Sequence, residues 1–206
     1  VMFVRRERAT GRRPNKEELD SELIESDKLT GPWYPEAIEK PLSFATEQRF
    51  EPVPKGEESS TDVFRIAIFM SPLDVHVNRS PCAATIERME HRTGQGRRRG
   101  PFLPAMKKES EHNERVRTVL LCEDDIRIEV CQISGALART IVPWTTVGDE
   151  LRRGQRYGMI RLGSRVDVRA PAELFTPIVE SAESGNPDLP KGQFVQAGSS
   201  ILFKRK

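Results

Sequence analysis

From Val63 onward, apolar residues alternate with polar ones in short runs: FRIAIFM, TIERM, RVRTVLL, IRIEVCQI and LARTIV. Successive side chains of an extended strand point to opposite faces, so a period of two selects half-buried strands. Helix-period patterns are scarce in this region. The body of the chain is therefore predicted to be mainly β. CEDD (122–125) is polar and lies between RVRTVLL and IRIEVCQI, where it suits the turn of a hairpin.

Residues 1–62 read differently. They are rich in charge and carry Pro14, Pro32, Pro35, Pro41, Pro52 and Pro54. Leu19, Leu23 and Ile24 give a weak apolar stripe, which predicts one helix over 16–26. The expected organisation is an irregular, partly helical extension over 1–62 and a single β-rich domain over 63–206, of α+β class with a sandwich- or barrel-like body.

Lys plus Arg is 33 and Asp plus Glu is 31, a net charge of +2. This balance argues against a general nucleic-acid binder. RRERATGRR, QGRRRG and the closing FKRK are local basic clusters. Each fits a solvated tail or loop, or a site that attracts anionic phospholipid at roughly 1 kcal/mol per basic residue. Cys82, Cys122 and Cys131 lack metal-ligand spacing, and the odd count suits a reducing, cytoplasmic setting. No apolar run approaches the ~18–20 residues that cross a bilayer. The expectation is a protein peripheral to the cytoplasmic membrane.

Two Gly-Ser pairs stand out. RLGSRVDV (161–168) reads as a strand, yet Gly163-Ser164 interrupts it, and glycine within a strand marks a bulge or a close backbone approach. The other pair, Gly198-Ser199, belongs to an internal echo. VGDELRRGQ and KGQFVQAGS each space glycine, an apolar residue and glycine three apart: Gly148, Leu151, Gly154 and Gly192, Val195, Gly198. Paired elements of this kind recur in lipoyl- and biotinyl-carrier-like sandwiches. Turn chemistry accounts for Gly198. It does not account for Gly163.

Three segments, FMSPLDVHVNRSP (69–81), SEHNERVRTVL (110–120) and ARTIVPWTTVGDELRRGQRYGMIRLGSRVDV (138–168), together resemble phosphatidylserine decarboxylase, in its short soluble-type branch. The resemblance covers about residues 64–202. It implies a proenzyme that cuts itself between Gly163 and Ser164, giving a β chain 1–163 and an α chain 164–206. Ser199 falls in the closing turn and is not the expected site.

The implied chemistry is specific. The Ser164 hydroxyl attacks the Gly163 carbonyl, the peptide becomes an ester, and elimination followed by hydrolysis leaves a pyruvoyl group formed from Ser164. That ketone acts as an electron sink when phosphatidylserine loses CO2 to give phosphatidylethanolamine. The resemblance implies no metal or soluble coenzyme. His76, in DVHVNR, matches the family's catalytic-region histidine. Read alone, it fits a hydrogen-bonding histidine at a strand end better than a catalytic one. Asn78 and Arg79 are expected at the substrate, with Arg79 on its carboxylate or phosphate. Asn113, Glu114 and Arg115 form the family's Asn-Glu-Arg signature and are expected to organise the pocket. His91 and His112 read as surface residues, and Trp144 as sheet packing.

The family's Pro-Ala-Asp-Gly segment, whose aspartate supports self-cleavage, is absent before FRIAIFM. Asp62, or Glu51, Glu57 or Glu58, is the expected substitute. Two other readings stay open: the same pyruvoyl chemistry on a soluble amino acid, and an unprocessed, non-catalytic lipid-binding relative. The expected partners are phosphatidylserine, an anionic membrane surface, the two chains for each other and a second copy as a homodimer.

Overall fold

The computed structural model describes residues 1–9, 50–94, 104–106, 113–136, 140–161, 163–188 and 191–206. The predicted helix over 16–26, His112 and the QGRRRG cluster lie outside the described residues. The alternating segments form strands β3 (Val63–Met70), β5 (Ala84–Gly94), β6 (Asn113–Leu121), β7 (Arg127–Ser134) and β8 (Ile141–Pro143). Further strands are β4 (Val77–Arg79), β9 (Glu150–Leu151), β10 (Arg156–Ile160), β11 (Ser164–Pro171), β12 (Phe175–Pro177) and β13 (Phe203–Arg205). β6 and β7 form the expected hairpin, and Asp124 and Asp125 turn it with φ of 58° and 55°.

Two strands come from the segment expected to be irregular: β1 (Phe3–Ala9) and β2 (Phe50–Pro52). β1 pairs along β3 from Phe3–Ala67 to Glu7–Val63. Hydropathy hides this strand because its buried positions are Phe3 and Glu7, and Glu7 is buried through ion pairs.

Eight strands make one antiparallel sheet, ordered β2-β1-β3-β11-β7-β6-β5-β9. A three-stranded sheet, β4-β10-β8, and the pair β12-β13 hold the other described strands. Among the described residues the strands form no closed barrel. The core joins Met70, Val116, Leu120, Val130, Val166 and Val168 of the large sheet to Ile141, Tyr157 and Ile160 of the smaller one. Burying one such aliphatic side chain contributes ~1.5–3 kcal/mol. Trp144, expected within the packing, is 43% exposed because it lies just past the end of β8.

The opposite face of β11 carries Arg165, Asp167 and Arg169, all buried. Asp167 accepts hydrogen bonds from Arg65 and Arg165, and Arg169 donates to Glu7 and Glu129. Arg65 also donates to Glu7. Five strands contribute to or flank this ionic layer, with β11 at its centre.

The described arginines of the first basic cluster also have acidic partners. Arg5 pairs with Glu183, and Arg6 and Arg8 both pair with Asp62. The glycines of the internal echo all have positive φ, and Leu151 is buried.

Candidate active site

Ser164 opens β11 at the centre of the large sheet. It pairs with Met70 on β3 and Ser134 on β7. Its side chain is fully buried, and its Oγ has no hydrogen-bond partner among the described residues. Leaving a buried hydroxyl unpaired costs ~1–3 kcal/mol, so such a group calls for a reason. Ser134 Oγ is also buried and unpartnered among the described residues. Directly opposed residues on neighbouring strands have Cβ atoms about 4.5–5.5 Å apart. Two unsatisfied hydroxyls therefore face one another across β11 and β7.

Gly163 precedes this serine with φ of +67°. A side chain is strained in that left-handed region, which answers why glycine stands there. The Gly163 carbonyl lies against Gly135, where an added Cβ would sit 1.8 Å from the carbonyl oxygen. Gly135 is thus required for the Gly163 carbonyl to occupy this position. Neither Ser134 nor Gly135 was expected at the site. The signal available in the sequence was the small-residue run Ser134-Gly135-Ala136 ending a strand.

His76 stands just before β4. The Gly163 N–H donates to His76 Nε2 at 3.0 Å, so the ring is neutral with its proton on Nδ1. Nδ1 is buried without a hydrogen-bond partner among the described residues. Burial lowers the His76 pKa below its ordinary 6.5, and the Asp74 carboxylate opposes that shift. Asp74 Oδ2 also accepts the Ser71 N–H and shapes the turn before His76.

The remaining expected residues surround this centre. Gln132 Nε2 donates to Asn78 Oδ1 at 2.6 Å, which ties β4 to the large sheet. Asn78 Nδ2 approaches Met70 Sδ, and Met70 is the cross-strand neighbour of Ser164. Asn113 Nδ2 donates to the Ser134 carbonyl at 2.8 Å. Glu114 Oε1 meets His91 Nε2 at 2.9 Å and accepts the Ile141 N–H. Arg115 is buried on the opposite face of β6. His91 is therefore an internal partner of Glu114 and not a surface residue.

Residues 20–203 match the family model described as phosphatidylserine decarboxylase. The chain belongs to the phosphatidylserine decarboxylase family. A phosphatidylserine decarboxylase proenzyme of Thermobifida fusca is 43% identical over 155 residues, 75% of this chain and 60% of that protein. One from Streptomyces griseus is 50% identical over 108 residues, 52% of this chain and 46% of the relative. One from Novosphingobium aromaticivorans is 43% identical over 141 residues, 68% of this chain and 49% of the relative. The chain thus spans about half to three fifths of the length of these relatives. No solved structure matches it.

Within this family frame, two expected residues have other partners. Asp62 does not reach the Gly163–Ser164 bond. It precedes β3, whereas Ser164 pairs with Met70 at the other end of that strand, about 26 Å away at strand rise. Its carboxyl is held down to about 2, chiefly by Arg8, with the Ser59 N–H and Arg6 assisting. Asp74 is the acid that acts on His76. Arg79 donates to the Gly154 carbonyl at 2.7 Å, and its side chain packs over Gly198. It braces the turns at Gly154 and Gly198. Ser199 is exposed in that turn.

Proposed function

We propose that this phosphatidylserine decarboxylase family chain cuts its own Gly163–Ser164 linkage, converts Ser164 into a pyruvoyl group and decarboxylates phosphatidylserine to phosphatidylethanolamine. One observation carries the reading. A buried hydroxyl with no hydrogen-bond partner among the described residues follows a glycine whose carbonyl rests on Gly135 and whose N–H meets His76. The residues present fit a group built from Ser164, because β3 and β7 grip that position on both sides.

In the self-cleavage step, Ser164 Oγ forms a bond to the Gly163 carbonyl carbon. The carbon–nitrogen bond to Ser164 breaks, and the hydroxyl proton is transferred to that nitrogen. His76 stands beside the bond as a neutral imidazole and relays the proton once it exchanges its Gly163 N–H contact for the hydroxyl. The backbone at Gly163 already departs from extended geometry, which favours attack within so short a loop.

In the decarboxylation, the pyruvoyl ketone supplies an electron sink for the pair left when CO2 departs. The chain's own residues hold the position and exclude water. Asn78 and Gln132 lock β4 against the sheet, and Asn113 fixes the Ser134 end of β7. His76 returns a proton to the product carbon. The substrate is a bilayer lipid, so the enzyme works peripherally, at the cytoplasmic membrane surface.

The test is release of labelled CO2 from phosphatidylserine in vesicles and from free serine, with wild type and Ser164→Ala. Release from the lipid alone, abolished in Ser164→Ala, is expected. Equal release from free serine would transfer the reading to a soluble amino acid. Vesicle binding with no release from either would leave a non-catalytic lipid-binding relative.

A further inference from the structure

Outside the candidate site, two thiols from distant parts of the chain meet. Cys82 Sγ lies 3.0 Å from Cys122 Sγ, across a sequence separation of 40 residues. Cys82 belongs to the connection from β4 to β5, and Cys122 follows the last residue of β6. Both are half-buried and pack on the edge of the main core. Cys131 is fully buried on the opposite face of the large sheet, where burial pushes its thiol up to about 11.

The local backbone holds both sulfurs in place. Ser80 Oγ donates to the Cys82 carbonyl at 2.7 Å, and Ser80 exchanges backbone bonds with Gln155 and Gly154. The Cys122 N–H donates to the Ile126 carbonyl at 2.8 Å in the β6–β7 turn. A disulfide has a sulfur–sulfur length of ~2.05 Å, so the sulfurs need close by only about 1 Å.

We infer that Cys82 and Cys122 are a redox-modification site: a small-molecule disulfide of the oxidised-glutathione class converts them to an internal disulfide that clasps the β4–β5 connection to the β6–β7 turn. The two thiols share one S–H···S contact, and their coupling lowers the Cys122 pKa and raises that of Cys82. Cys122 is therefore the first nucleophile. Its thiolate attacks one sulfur of the oxidant and releases one glutathione thiolate. Cys82, deprotonated as the second step begins, attacks the Cys122 sulfur of the mixed disulfide and releases the other. Two thiol protons leave the protein, two sulfurs are oxidised, and one oxidant is reduced to two thiols.

The clasp constrains the unfolded chain by closing a loop of 40 residues. It also holds the end of β4, whose Asn78 braces the large sheet beside Met70. All three cysteines precede Gly163, so the modification is readable on cut or uncut chain alike and stands apart from the proposed activity.

The test equilibrates the full chain in glutathione buffers of graded potential, alkylates it under denaturing conditions and counts labels by intact mass. Three labels in reducing buffer and one in oxidising buffer, with the single label on Cys131, is the expected result. Cys131→Ser must still lose both remaining labels on oxidation. Oxidised wild type is expected to melt about 5–10 °C above reduced wild type, a shift that Cys82→Ser and Cys122→Ser lack. Three labels after oxidation, stable glutathione adducts in place of an internal bond, or a bond lost in Cys131→Ser would each overturn the inference. Cys131→Ser retains both partners, so failure of Cys82→Ser to fold leaves the test intact.

Discussion

His76 sits between two opposing influences. Burial drives its pKa down, and the Asp74 carboxylate drives it up. In the proposed self-cleavage the neutral ring takes the proton from Ser164, so the predicted cleavage rate falls as pH drops through the folded-state pKa, below 6.5. Asp74→Asn removes the influence that raises this pKa. The acid limb of the cleavage rate must then move to lower pH. Timed appearance of chains 1–163 and 164–206 across a pH series checks this; an unmoved limb, or one moved upward, contradicts the role given to Asp74. Much of this scale was legible in the residues. Gly163, Ser164 and His76 sit in motif context, and Gly-Ser inside a strand is a visible anomaly. Ser134 and Gly135 were not legible, because their closeness to the bond arises from β7–β11 register. His91 was misread for the same reason: its partner Glu114 is a cross-strand neighbour in space.

At the scale of elements, β11 is held by two unlike faces. Val166 and Val168 pack into the core, while Arg165, Asp167 and Arg169 enter the ionic layer. Burial raises the Asp167 pKa, but Arg65, Arg165 and Arg169 more than offset it, so the carboxyl lies below its ordinary value. Asp167→Asn leaves buried guanidinium charge uncompensated. Removing one partner of such a pair costs about 3–5 kcal/mol. Denaturant unfolding of the variant is expected to show a loss of that order, and a change under about 0.5 kcal/mol would refute the ionic clamp. Period-two alternation revealed β3, β5, β6 and β7 because their core-facing residues are apolar. It missed β1, where Glu7 faces the ionic layer. A hydropathy pattern cannot distinguish a buried, paired charge from an exposed one.

At the scale of the whole molecule, the proposed cut falls inside a sheet that needs no covalent bond at that point. β11 remains hydrogen-bonded between β3 and β7, and β12 pairs with β13 within the same segment. Contacts from 164–206 back to the rest include Arg169–Glu7, Arg205–Asp124 and the Ala182 N–H on the Val1 carbonyl. The two chains should therefore co-elute under native conditions and separate only when denatured. The order of motifs along the chain made the family resemblance readable. The separation of Asp62 from the bond needed the strand register, because both flank the same β3.

Intact-mass analysis of denatured protein, before and after borohydride reduction, addresses the central claim most directly. The account predicts two masses, one ending at Gly163 and one beginning at position 164 with a reducible ketone in place of the serine amine. It also predicts a single uncut mass for Ser164→Ala. One mass for 1–206 in incubated wild type, with Ser164 unmodified, would contradict it.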